Sequence, residues 1–173
     1  FNQINFEIFG SNDSFADLEL INLANNILKS LLPNSKFVLN INSLGNKDNL
    51  IEYKKNLSKY FDEKKNLLSE ESRKKIISNP LRILDSKDQK DVDISNNAPL
   101  LPEYISKDSM SHYDQLKKSL DSLNISYVEN PRLVRGLDYY CSTVFEFKTN
   151  DLGSQDTLLG GGRYDGLIST LGG

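Results

Sequence analysis

Strand-like alternation occurs toward both ends of this 173-residue chain, and between them lies a long segment whose apolar residues recur only at helical spacing. That division constrains the fold more than any compositional total. A sheet has to be assembled from segments on either side of residues 45–124, so the middle is expected as a helical insertion within an α+β domain. The opening stretch FNQINFEIFG places Ile4, Phe6 and Ile8 on one face and Gln3 and Glu7 on the other. It is expected as a strand with its apolar face turned to the core. SNDS then offers an N-cap, and Phe15, Leu18, Ile21, Ala24, Leu28 and Leu31 keep helical spacing as far as Leu32, where Pro33 stops the helix. KFVLNIN follows as a second strand.

The middle segment contains the charged helical runs NLIEYKKNLSKYFDEKKNLL and SEESRKKII, interrupted by NPLRILDSKD and the proline-bearing NAPLLPEYI. A last helix is expected over about residues 107–123. After residue 125 the pattern is β again, in SYVEN, in TVFEFKTN and in a short strand entering the glycines, before RYDGLISTL as a helix or turn. Three parts result: residues 1–44 and 125–173 as the two halves of a core, and residues 45–124 as a helical lobe. The chain opens on Phe1 and closes at LGG, which reads as a piece of something longer.

Composition narrows the class. A formal net charge of -3 excludes a wholesale polycation but leaves a local basic patch open. The single cysteine, Cys141, has no intramolecular partner, so a reducing cytoplasmic setting is expected. No apolar run approaches the roughly 20 residues of a membrane span. The bias toward Asn, Lys, Ile and Ser fits nucleotide bias as well as any function.

Two stretches carry candidate chemistry. LVRGLDYYCSTVFEF sets an arginine, an aspartate and two tyrosines before a strand. Strict alternation puts Tyr140, Ser142, Val144 and Glu146 on one face and Tyr139, Cys141, Thr143, Phe145 and Phe147 on the other, so Tyr139 is expected to support the core. Arg135 and Asp138 read either as a structural ion pair or as part of a site. GGGRYDG, residues 160–166, reads either as a tight turn before a helix or as a place where a ligand or another backbone approaches closely. It lacks the Walker spacing of a P-loop and the G-x-G-x-x-G spacing of a dinucleotide fold.

RGLDYY, the TVFEF strand and GGGRYDGL, taken in order, resemble histidyl-tRNA synthetase, a class II aminoacyl-tRNA synthetase. FNQINFEIFG is similar to the later strand of that family's motif 2, and NSLGN and NPLRILDSK are similar to segments of its bacterial form. The resemblance covers essentially the whole chain. It implies an antiparallel sheet flanked by helices, with a mainly helical insertion between motifs 2 and 3. It also implies the activation of histidine by ATP to histidyl-adenylate and its transfer to tRNA(His), with Mg2+ expected for the full enzyme, a homodimer and a cytoplasmic setting. No resident protein metal site is implied.

By the same resemblance Arg135 is the catalytic residue beside the adenylate's α-phosphate, where a fixed, forked cation offsets developing charge. Glu7 and Tyr140 are implied as partners of the two imidazole nitrogens, Gln3 of the amino acid's backbone groups, Tyr164 as the end of the pocket, and Gly161 and Gly162 as its wall. Asp138 is expected to support the arginine-bearing loop. Asn2, where a histidine is common, and Cys141 depart from the family pattern, and His112 is given no role. Lys54, Lys55, Lys64, Lys65, Lys74 and Lys75 read either as contacts to the tRNA acceptor stem or as a solvated helix face alternating with acids. Motif 1, the motif 2 loop arginine, the motif 3 arginine and the anticodon domain fall outside the sequence, so the segment by itself is expected not to make adenylate.

Two other readings share this fold. One is a non-catalytic paralogue serving as a regulatory subunit of ATP phosphoribosyltransferase, and the other a synthetase-like tRNA-sensing domain. The intact RGLDYY and the long insertion speak against the first.

Overall fold

The structure, a computed structural model, describes residues 3–152 and 156–172. Asn2 lies outside them. The architecture is α+β, as expected. Helix α1, Ser14–Leu31, starts where the Asp13 side chain accepts from the Phe15 amide at 2.9 Å. Its Ile21, Ala24 and Leu28 are buried, whereas Phe15 and Leu31, at the ends of the predicted stripe, are exposed. Strand β1, Val38–Ser43, follows. The lobe then runs through α2, Lys47–Glu63, α3, Glu70–Ser78, the short α4, Leu81–Leu84, and α5, Gln89–Ser95, before α6, Lys107–Ser122. Strands β2, Tyr127–Glu129, β3, Cys141–Lys148, and β4, Thr157–Arg163, complete the sheet, and α7, Leu167–Thr170, follows it.

The strand order is β2-β1-β3-β4. Only β1 and β2 run parallel, which requires a long crossover, and the lobe with α6 is that crossover. The pairings Leu39 with Phe147 and Ile41 with Phe145 put four apolar side chains on one face. That face packs against Ile21, Ala24 and Leu28 of α1 and Tyr113, Leu116 and Leu120 of α6. So α6, which the sequence grouped with the lobe, shares the sheet's core. The opposite face carries Asn40, Asn42, Val144 and Glu146.

A second core lies in the lobe. It joins Leu50, Tyr53, Leu57 and Phe61 of α2 to Leu68, Ile76, Leu81, Ile83, Ala98 and Leu101, and takes in Leu133, Val134 and Val144 from the other side of the crossover. Asp91 is fully buried there and accepts from the Ser69 amide and the hydroxyls of Ser69, Ser72 and Ser86 at 2.6–2.8 Å. Burial alone would raise its pKa, but these four donors together hold it below the ordinary carboxylate value. The resulting stabilisation is complete above about pH 3.9 and is lost as the pH falls toward the lowered folded value. An Asp91→Asn chain is therefore expected to be less stable than the parent at pH 7 and to converge on it in acid. Urea unfolding at stepped pH reads this; parallel stability curves would contradict it.

The opening strand does not form. Residues 3–10 have no regular secondary structure, and Ile4, Phe6 and Ile8 are 79, 44 and 37% exposed. Alternation is a property of side chains, whereas a strand also needs a neighbour for its row of N–H and C=O groups. No described strand pairs with this segment.

Candidate active site

Between Leu133 and β3 the chain does not enter the strand in regular alternation. Ser142 has a φ of +47°, and the pairing of β3 with β4 slips between Cys141 and Val144. Tyr139 lies in the turn before β3 and Tyr140 just ahead of its first residue, where no period of two applies, so they are not thrown to opposite faces. Their ring centroids lie 4.6 Å apart, and those of both lie within 6.4 Å of that of Tyr164. Tyr139 is 37% exposed, which corrects the expectation that it supports the core.

Arg135 does not pair with Asp138. Its Nη1 donates to Glu146 Oε1, and its guanidinium carbon lies 5.9 Å from the Tyr140 ring centroid. Glu146 also meets Lys148 Nζ at 3.6 Å and accepts from Thr157 Oγ1 at 3.4 Å. The Glu146 side chain is 13% exposed and that of Arg135 23%, so the pair is sheltered from bulk water. Sequence reasoning placed Glu146 on the Tyr140 face but gave it no role; the alternation in TVFEF was the available signal.

The glycines are strand rather than turn. Gly160 pairs with Glu146, Gly161 with Phe145 and Gly162 with Val144. A Cβ on Gly160 would sit 2.5 Å from Arg135 Nη1, and one on Gly162 would sit 2.9 Å from the Tyr140 ring and 2.7 Å from the Thr143 carbonyl oxygen. A Cβ on Gly161 would instead meet the Phe145 ring at 2.9 Å. Gly160 and Gly162 thus admit the site residues, and Gly161 admits a core ring from behind. The residue missed in the sequence is Gly160.

The opening segment reaches this cluster at one point. Glu7 lies near Tyr164, whose hydroxyl is pushed up by partial burial and then by the Glu7 charge. The Tyr139 hydroxyl is pushed up by partial burial and by the neighbouring Tyr140, with Arg135 opposing. Gln3 is exposed and donates to Asn5 Oδ1 at 2.9 Å, apart from the tyrosines. Asp138 accepts from Asn79 Nδ2 at 3.0 Å and lies 3.4 Å from Lys54 Nζ, so it ties its loop to the lobe. Burial pushes the Cys141 thiol up and keeps it protonated, leaving no thiolate for chemistry.

Arg163 works from beneath. It is 9% exposed and spans Asp17 Oδ1, with Nε at 3.1 Å and Nη2 at 2.9 Å, and it donates to the carbonyls of Ser11 and Asp13 at 2.9 and 2.7 Å. The other Asp17 oxygen accepts from Thr143 Oγ1 and lies against His112 Nε2, both at 2.7 Å. One carboxylate therefore joins α1, α6, β3 and β4. No spacing in the sequence announces it, because its three partners come from three separate segments.

Of the lobe's lysines, Lys65, Lys74 and Lys75 pair with Asp62, Glu70 and Glu71, and Lys64 lies 4.3 Å from the Tyr60 ring centroid. Such exposed pairs contribute little stability but spend the local charge. Among the described residues no group of three or more His, Cys, Asp or Glu side chains is placed to hold a metal.

The family model described as Histidyl-tRNA synthetase matches residues 1–173. This chain belongs to the histidyl-tRNA synthetase family. It is 51% identical over its whole length to a histidine–tRNA ligase of Anaplasma marginale (strain Florida), covering 40% of that protein. It is 50% identical, again over its whole length, to one of Wolbachia pipientis wMel, covering 42%. Among solved structures it is similar to the apo histidyl-tRNA synthetase of S. aureus, with a TM-score of 0.71 and 31% identity over 95% of this chain and 40% of the other. The chain thus spans about 40% of the length of these synthetases. NSLGN, by which it resembles them, has a local reason. Gly45, at φ +66°, turns β1 into the lobe, and Asn46 and Asn49 cap α2 reciprocally at 2.9 and 3.2 Å.

Proposed function

We propose that this chain is the part of a histidine–tRNA ligase's catalytic domain that holds the histidine side chain and stabilises adenylate formation. The observation that carries the reading is the position of Arg135. A sheltered cation is fixed by Glu146 over a glycine strand, beside a cluster of three tyrosines and a carboxylate. In the proposed reaction an oxygen of the histidine carboxylate attacks the α-phosphorus of ATP, and pyrophosphate leaves. The nucleophile belongs to the substrate, so the protein contributes orientation and charge. Nη1 of Arg135 stays on Glu146, and because the side chain keeps 23% exposure, the accessible part of the guanidinium is free to meet a phosphate oxygen.

Glu7 and Tyr140 partner the imidazole nitrogens, Tyr164 closes the pocket end, Gly160 and Gly162 keep its floor bare, and Gln3 serves the amino acid's backbone groups. Mg2+ would enter with the ATP phosphates, and no step here runs through it. The histidyl group then passes to tRNA(His), whose acceptor end the lobe faces. A class II homodimer in the cytoplasm completes the reading, supported by the family match and by the lack of any helix among the described residues long and apolar enough to cross a membrane.

Full-length protein carrying this sequence is expected to catalyse histidine-dependent exchange between ATP and pyrophosphate. Glu7→Gln removes a charged acceptor and is expected to raise KM for histidine about 10- to 100-fold, with kcat less affected. Exchange that ignores histidine would sink the reading, and an unchanged KM would remove Glu7 from the pocket.

A further inference from the structure

The segment NPLRILDSK is not used by the chemistry proposed above. Its apolar residues anchor it, since Leu81 and Ile83 are 5 and 0% exposed within the lobe's core. Two of its polar residues, Asn79 and Arg82, reach across to the loop that carries Arg135. Arg82 Nε donates to the Gly136 carbonyl at 3.1 Å, and its Nη2 donates to the same oxygen. Asn79 Nδ2 donates to Asp138 Oδ1 at 3.0 Å. A Cβ on Gly136 would stand 3.2 Å from Arg82 Nη2, so bare backbone is what lets the guanidinium come this close.

The lobe also holds the other side of Arg135. Leu133 and Val134 are buried in its core, and from β1 Asn42 Nδ2 donates to the Leu133 carbonyl at 3.0 Å. The backbone on both flanks of Arg135 thus rests on the lobe, with one added tie from β1, while the side chain is set by Glu146 in the sheet. We propose that Asn79 and Arg82 are positioning residues for adenylate formation, which act by fixing the height of the Arg135 backbone above β3 and β4. The proposal rests on the role given to Arg135 above. Arg82 is suited to it because two N–H groups directed at one carbonyl fix both position and direction, whereas an ammonium fixes position only.

The test is pre-steady-state adenylate formation in full-length protein. Arg82→Ala is expected to slow it about 10- to 100-fold, the cost of a small misplacement of a reacting group, with KM for histidine within about twofold. Arg82→Lys should recover part of the loss, and Asp138→Ala, which cuts the second tie from the loop side, should reproduce a smaller loss without altering the lobe. The decisive comparison is the double variant. In an Arg135→Ala background Arg82→Ala should cost nothing further, whereas damage unrelated to Arg135 would multiply. A parental rate in both Arg82→Ala and Asp138→Ala, or full additivity with Arg135→Ala, overturns the proposal and leaves the synthetase reading intact. A parent that forms no histidine-dependent adenylate overturns both.

Discussion

Arg135→Ala in the full-length protein is expected to slow histidyl-adenylate formation about 10²- to 10³-fold, the usual cost of removing one fixed group that stabilises developing charge. KM for histidine should move by less than about threefold, because the guanidinium is assigned to the phosphate and not to the amino acid. Lysine at the same position should not restore the rate. Arg135 keeps Nη1 on Glu146 and has further donors for a ligand, and a single ammonium with one flexible stem cannot reproduce that division. Rapid-quench measurement of adenylate at saturating ATP separates rate from binding. Equal losses in rate and in histidine affinity would count against the charge-stabilising role.

The second large effect concerns stability. Asp17→Ala should cost about 3 kcal/mol, because it leaves the buried guanidinium of Arg163 with only the exposed Asp165 carboxylate as counter-charge and strips a partner from Thr143 and His112. Against a typical total of about 5–15 kcal/mol this is a large fraction. With a urea dependence of about 1–3 kcal/mol per molar, the unfolding midpoint should fall by roughly 2 M. A Leu→Ala change in the core has a comparable cost, but the two differ in their remedy. Restoring the carboxylate one methylene further out, as Asp17→Glu, should recover only part of the loss, since four elements converge on fixed oxygen positions. A midpoint shift below about 0.5 M would show that the network is dispensable.

Much of the fold was legible because its signals are local. The helical spacing from Leu18 to Leu28, the stop at Pro33 and the alternation in TVFEF each translate directly into an element. What failed did so where a property depends on a neighbour. FNQINFEIFG alternates as well as any strand in the chain, yet alternation cannot supply the paired backbone that makes a strand. The two tyrosines were misassigned because they precede β3, where a count by twos carried back from TVFEF does not apply. The triple glycine read either as a tight turn or as a place of close approach, and close approach is what it provides: two of its members leave space for Arg135 and Tyr140 and the third for Phe145. Among site residues, the grouping of Arg135, Tyr140, Tyr164 and Glu7 was reached through resemblance. For Glu146 the alternation in TVFEF gave the face but not the role, and Arg82 emerged only from contact, since neither spacing nor residue type distinguishes it from a surface arginine.

The parallel pairing of β1 with β2 has a kinetic meaning. Leu39 meets Tyr127 only after the chain closes a loop that contains the entire lobe, the kind of long-range contact that slows folding. The lobe's helices are close in sequence and share their own core, so they can shorten that loop before the sheet exists. The entry to the lobe is then stitched to β3, where the Leu44 amide donates to the Ser142 carbonyl at 2.6 Å and the Ser142 amide to the Gly45 carbonyl at 2.7 Å. The insertion is thus a tether that brings distant strands within reach of each other, and the positive φ at Ser142 belongs to the residue that fastens it.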